Sequence, residues 1–259
     1  MKISIQIILL LAIISNLFSQ SPYKLNTERE IAIFGFGAIT GATALFLDKD
    51  VNPITKNEIA MLSVENINSF DRLWMGDFSQ NTSNWSDGLL ITTAALPGLI
   101  LFDSNINSDI IDISTMYLQT MLIAGTVPYL TKAIVQRYRP FIYQPNVDFE
   151  IKNDADGRRS FFSGHSATSF ASAVFFAKVY SDYYPNSKYL PIVWGTSLIL
   201  ASTVAILRVE AGKHFLSDII TGAIFGSVVG YVIPELHQIK DKSYSLDISP
   251  IRIAISYRY

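Results

Sequence analysis

Eight residues in this chain have the types and spacing to move a phosphoryl group. Lys132 is followed after six residues by Arg139, Ser163, Gly164 and His165 are consecutive, and Arg208, His214 and Asp218 share the stretch "RVEAGKHFLSD". The three cations offer forked or point donors suited to a tetrahedral oxyanion. Ser163 and Gly164 open an apolar segment, which predicts a helix N-terminus whose free N–H groups and dipole attract phosphate. His214 and Asp218 are four apart and share one face of a helical turn. That spacing lets the carboxylate orient the ring and make one nitrogen the better nucleophile. His165 is left free to protonate a leaving oxygen. Two histidines with separate tasks and three cations describe a phosphoryl-transfer site that needs no metal.

Six apolar segments must position these groups: 31–47, 89–102, 113–131, 166–177, 189–207 and 219–234, none with an internal charge. A bilayer span takes about 20 apolar residues and at least roughly 17. The third and fifth segments meet that limit, the first just reaches it, and the others fall short. Their many Gly, Ala, Ser and Thr residues allow close helix packing in lipid. The expected fold is an all-α, six-helix, membrane-embedded bundle; the alternative is a soluble all-α domain with wholly buried core helices. Alternate ends of an antiparallel bundle lie together. The end of segment three, the start of four, the end of five and the start of six therefore share one mouth, and the three clusters converge there. Segment 89–102, broken by Pro97-Gly98, is expected not to span fully.

Within the polar stretch 48–88, Ile59, Leu62, Ile67 and Phe70 predict a helix, with aromatic weight from Trp74, Phe78 and Trp85. Such a helix would lie at a membrane interface or cap the bundle. In the tail, Ile251, Ile253, Ile255, Tyr257 and Tyr259 alternate as in a strand. A lone strand must pack on the bundle, pair with another chain or stay loosely ordered.

The chain has 259 residues, 49% hydrophobic and only 16% charged, with net charge −2 and mean hydropathy +0.29. It is poorer in charge than an ordinary soluble domain, and it lacks the basic excess that nucleic-acid binding needs. The absence of cysteine excludes disulfides and thiolate metal sites. Residues 1–19 read as a signal peptide, with one lysine, an apolar run and a small polar exit; the rival reading is an uncleaved first membrane helix, disfavoured because the run is short and Asn16 interrupts it. The expected organisation is a signal at 1–19, an N-terminal helix with an interfacial or capping segment at 20–87, a catalytic helical core at 88–236 and a tail at 237–259.

At these motifs the chain resembles the type 2 phosphatidic acid phosphatase and vanadium haloperoxidase superfamily. That pattern is Lys, six residues, Arg-Pro; then Pro-Ser-Gly-His; then Ser-Arg, five residues, His, three residues, Asp. The chain matches at Lys132, Arg139 and Pro140, at Ser163, Gly164 and His165, and at Arg208, His214 and Asp218. It departs at Phe162 and Leu207, neither of which carries the charge chemistry. The resemblance implies a phosphohistidine on His214 and hydrolysis of a phosphate monoester or lipid diphosphate. Expected substrates are phospholipids or isoprenoid phosphates of the phosphatidic acid, phosphatidylglycerophosphate or undecaprenyl diphosphate type. The alternatives are a soluble secreted acid phosphatase, periplasmic in location, and a vanadium-dependent haloperoxidase. No cofactor is expected, and vanadate would inhibit, serving as cofactor only in the haloperoxidase case. Neither nucleic acid nor a protein partner is inferred.

Outside the motifs, Arg137, Arg158 and Arg159 read as solvated or lipid-headgroup residues, Glu210 and Lys213 as surface residues, and His237 as an exposed tail residue. Tyr143 and Asp156 lie in the loop between motifs, within reach of substrate. Lys and Arg, counted on the two sides without the three motif cations, balance and leave the positive-inside rule silent. The expectation is a cell-envelope, multi-pass protein whose pocket faces out of the cytoplasm.

Overall fold

A computed structural model describes residues 21–239 and the segments 244–249 and 252–257; the signal assigned to 1–19 lies outside the described residues. Helix α1 (Thr27–Asp48) starts where the Asn26 side chain accepts from the N–H groups of Glu28 and Arg29, which satisfies two donors of the first turn. Three short pieces follow: α2 (Lys56–Met61), a 3₁₀ turn (Val64–Asn66) and α3 (Ser69–Leu73). Helix α4 (Gln80–Ala95) runs into a 3₁₀ segment (Leu96–Phe102) where Pro97 enters. After a single turn, α5 (Ser104–Asn107), comes α6 (Ile110–Val135), closed by Gln136 in the left-handed region at φ 48°. The loop beyond carries a short helix, α7 (Phe149–Lys152). The last three long helices are α8 (Gly164–Tyr183), α9 (Leu190–Glu210) and α10 (Leu216–His237).

Helix α8 is the axis of the bundle, with α10, α9, α6 and α4 packed around it and α1 lying against α6. The approach of α10 to α8 is unusually close. Gly222, Gly226 and Gly230 repeat every four residues and form one stripe. A Cβ added to them would meet the carbonyl oxygens of Ser163 at 2.5 Å, Ala167 at 2.1 Å and Ala171 at 2.4 Å. Only glycine permits this backbone-to-backbone contact, which fixes the start of α10 against the start of α8.

Helices α1, α6, α9 and α10 are long and apolar enough to cross a membrane by length and composition. Their outward faces carry exposed side chains such as Ile39, Phe46, Leu118, Ile199 and Ile224. Helix α8 is richer in Ser and Ala and largely buried. The apolar segment 89–102 is split between α4 and the 3₁₀ segment and forms no single long helix.

Two expectations are corrected. The stretch 48–88 is not one amphipathic helix. Thr55, Ser63 and Asn68 each cap a new start, because their side chains accept from the backbone and break the run. Its residues also diverge, since Ile67 is buried while Phe70, Trp74 and Trp85 are exposed. The tail strand is not alone, because β2 (Arg252–Tyr257) pairs antiparallel with β1 (Tyr244–Ser249), with Leu246 and Ile255 in register.

Candidate active site

One end of the bundle gathers every motif residue. Lys132 projects from the last turn of α6, and its Nζ lies 3.8 Å from where a Cβ on Gly164 would stand. The ammonium thus sits over the first turn of α8, which Ser163 caps by accepting from Ser166 N. The turn from α9 into α10 needs Gly212 at φ +63°, a conformation that suits glycine. This turn places His214 inward, completely buried.

Arg139 reaches into the same space. Its Nη1 lies 3.2 Å from His214 Nε2 and donates to Lys213 O at 2.9 Å, while its Nη2 pairs with Asp156 at 2.8 Å. A guanidinium has donors only, so Nε2 faces it with a lone pair and the ring proton is on Nδ1. Nδ1 has no hydrogen-bond partner among the described residues. Asp218 Oδ2 is 3.6 Å away, an electrostatic contact beyond hydrogen-bond length. The expected orientation of His214 by Asp218 is therefore incomplete. The carboxylate is held elsewhere, accepting from Arg137 Nη1 at 2.6 Å, Ser160 Oγ at 2.5 Å and Phe215 N at 2.9 Å.

Nor is His165 free. Its Nε2 lies 2.7 Å from Asp87 Oδ1, which also receives Arg208 Nη1 at 3.2 Å. Arg208 donates to Ser83 Oγ as well, at 2.8 Å, and its buried Nε has no partner among the described residues. Lys132 makes no hydrogen bond or ion pair among the described residues. The site thus holds spare donor capacity on two cations, with Asp87 as the anion between Arg208 and His165. Burial, then the charges of Arg139, Lys132 and Arg208, push His214 well below the ordinary histidine value. Burial and Arg208 likewise lower His165 to about 4, against the opposing pull of Asp87. Burial favours a neutral Asp156, but Arg139, Lys213 and Lys132 outweigh it and lower its carboxyl. Beside Arg139 and Asp156 opens a cleft of about 340 Å³, lined in part by Phe78, Phe141, Glu150 and Lys213.

Several residues outside the motifs differ from expectation. Arg137 is no headgroup residue, since it bridges Asp71 and Asp218 and lies 4.3 Å over the Phe215 ring. Arg158 pairs with Glu58 at 2.5 Å, and Arg159 grips Asp48 with two bonds of 2.9 Å. Lys213 is half-buried over Phe78 and Phe141, whereas Glu210 is exposed. His237 is buried at the opposite end of the bundle, bonded to Glu30 and to Ile233 O. Helix α10 continues past Pro234 and carries His237 back under α1.

Sequence reasoning missed Ser83, Asp87, Asp71 and Ser160. Ser83 and Asp87 had a signal, being polar and four apart at the start of an apolar segment. Asp71 had none; it is fully buried and accepts from Ser217 N, Ser217 Oγ and Arg137.

Residues 114–242 match the family model described as the PAP2 superfamily. A lipid A 4′-phosphatase from Porphyromonas gingivalis is 25% identical over 108 residues, which are 41% of this chain and 42% of that protein. A probable diacylglycerol pyrophosphate phosphatase 1 from Schizosaccharomyces pombe is 35% identical over 85 residues, 30% of each. The chain spans less than half the length of these curated relatives. Two crystal structures align at 18% identity and TM-score 0.42. LpxE from Aquifex aeolicus covers 67% of this chain and 99% of its own, and a transmembrane PAP2-type phosphatidylglycerolphosphate phosphatase from Bacillus subtilis covers 80% and 94%.

Proposed function

We propose that this chain, which belongs to the PAP2 superfamily through residues 114–242, is a metal-independent phosphatase acting on a lipid phosphate or lipid diphosphate. The observation that carries the reading is the buried, neutral His214, its Nε2 lone pair held 3.2 Å from Arg139 at the mouth that Lys132 and Arg208 also line. A phosphate seated on the α8 N-terminus would take Arg139 and Arg208 as forked donors and Lys132 as a point charge. Arg139 would then give its Nη1 hydrogen to a phosphate oxygen and release the Nε2 lone pair for attack.

His214 Nε2 forms a bond to phosphorus while the ester P–O bond breaks, and its electron pair leaves on the alcohol oxygen. His165, protonated once the phosphate dianion offsets Arg208 and Lys132, gives its proton to that oxygen. Water then attacks the phosphohistidine, His165 takes the water's proton, and inorganic phosphate leaves with the bonding pair returned to Nε2. Through both steps Asp218 faces the cationic ring, and the fixed cations stabilise the charge that builds on the equatorial oxygens.

The lipid assignment rests on the four helices apolar enough to span a membrane and on the lipid phosphatases among the relatives. Phosphatidic acid, phosphatidylglycerophosphate and undecaprenyl diphosphate are the substrates to assay, with the pocket facing out of the cytoplasm. The test is phosphoenzyme trapping. The wild-type protein should form an acid-labile, base-stable phosphoenzyme, and His214→Ala should abolish both it and turnover. His165→Ala should slow substrates with poor leaving groups most. A His214→Ala protein that labels at full yield refutes the assignment.

A further inference from the structure

Asp218 is completely buried, and a buried carboxylate needs a compensating charge and a full set of donors. Lys132 and Arg139, the cations around His214, make no hydrogen bond to it. Among the described residues its only cationic partner is Arg137, from the turn that follows α6, at 2.6 Å to Oδ1. The oxygen nearest His214 is instead Oδ2, fixed by Ser160 and Phe215 N. Arg137 is itself held from the other side by Asp71 at 2.7 Å, and Asp71 is locked to Ser217 N and Ser217 Oγ on the first turn of α10. Asn68 supplies a further donor to Asp71.

We propose that Asp71 and Arg137 form a positioning pair for the phosphohistidine chemistry. On this assignment Arg137 is the counter-ion that keeps Asp218 anionic and aimed at His214 Nδ1, and Asp71 keeps Arg137 in place. The inference rests on the phosphatase reading above. Arg137 does not touch the phosphate site; it acts through Asp218. Without it, Asp218 would keep only neutral donors and could not hold its charge beside the ring. The imidazolium character that His214 gains on attack would then lose its fixed anion. Three elements far apart in sequence (α3, the turn after α6 and the start of α10) meet in this bridge. A segment outside the family match thereby governs a residue inside it.

The experiment uses the full-length, detergent-solubilised protein and phosphate release from a short-chain phosphatidic acid. Wild-type release tests the phosphatase reading itself, separately from the pair. Arg137→Ala should lower kcat about 100-fold, the order expected when a catalytic group is misplaced, and leave KM unchanged. Guanidinium chloride at non-denaturing concentration should restore part of the lost kcat, since a quarter of the Arg137 side chain is open to solvent. Arg137→Lys should retain more activity than Arg137→Ala, and Asp71→Asn should lower kcat in the same sense while leaving both Arg137 and Asp218 in place. Arg158→Gln, which breaks a similar ion pair with Glu58 remote from Asp218, should keep wild-type kcat. The proposal is overturned if Arg137→Ala keeps its kcat or loses only KM. It also falls if guanidinium rescues nothing while Arg158→Gln loses kcat to the same extent. Should Arg137→Ala fail to fold, Arg137→Lys and Asp71→Asn decide the matter, and wild-type kcat in both refutes the pair.

Discussion

Replacing Gly226 by alanine adds one methyl group at the closest point between α8 and α10. The new Cβ would stand 2.1 Å from Ala167 O and 2.8 Å from Ala167 C. Both are backbone atoms of a helix interior, so no side chain can rotate away. Restoring an ordinary carbon–oxygen approach of about 3.3 Å from 2.1 Å requires the two helices to separate by about 1.2 Å there. Overpacking of this kind costs roughly 1–3 kcal/mol. Separation by about an ångström also carries Gly164 and His165 on α8 away from Asp218 on α10 and from His214 in the turn that leads into it, which is worth about 100-fold in rate. The assay is phosphate release alongside thermal unfolding in the same detergent. Gly226→Ala should lose both activity and melting temperature. Gly125→Ala and Gly195→Ala, helical sites where an added Cβ meets nothing within 4 Å, should be neutral or gain up to about 1 kcal/mol. A Gly226→Ala protein with wild-type melting and wild-type kcat would refute the argument that this glycine stripe sets the distance between the two histidines.

Three further outcomes are expected. If, as proposed, the fixed cations neutralise the transferring group, hydrolysis should survive EDTA and be blocked by vanadate as a trigonal mimic; a magnesium requirement exposed by chelation would refute this. His165 is lowered to about 4, so between the ordinary histidine value and 4 the unfolded chain binds a proton that the folded chain does not. That contribution is absent as a penalty above pH 6.5 and grows as pH falls, reaching on the order of 3 kcal/mol; His165→Gln should flatten the acid side of the denaturation-midpoint profile, and an unchanged profile would count against the shift. Single cysteines at the exposed positions Asn153, on the pocket side, and Asn186, in the turn between α8 and α9, should report the pocket's side of the membrane. An impermeant maleimide on intact cells should label Asn153→Cys and spare Asn186→Cys, and the reverse pattern would place the pocket in the cytoplasm.

The residues that sequence reasoning placed well are those whose geometry is local. Ser163 caps α8 because a hydroxyl three residues ahead of a free N–H can do nothing better, and that is written in "SGHS". His214 and Asp218 share a face by spacing alone, and the alternation of helix directions brings Lys132 to Gly164. His237 was misread for an equally local reason. The apolar segment stops at 234, yet the helix continues past Pro234 to His237 and sets that ring against Glu30.

Partner choice is a different matter, because it is made between chain segments that no period relates. Nothing in "SFDRLWMG" distinguishes Asp71 from a surface acid, and nothing in "VQRYRP" distinguishes Arg137 from Arg139 except the motif. The structure separates the two arginines by what faces them. Arg139 meets a neutral ring nitrogen and Arg137 meets two buried carboxylates. The first arrangement leaves donor capacity for an incoming anion, and the second consumes it. Burying the Asp218 carboxylate obliges the fold to supply a cation. In a chain with few charges, that cation had to be one of the residues a motif search passes over. The same reasoning applies at Asp87, which lies between Arg208 and His165 and bonds to both. Charges unassigned by motif, in a chain this apolar, are therefore the first place to look for groups that act through the catalytic ones.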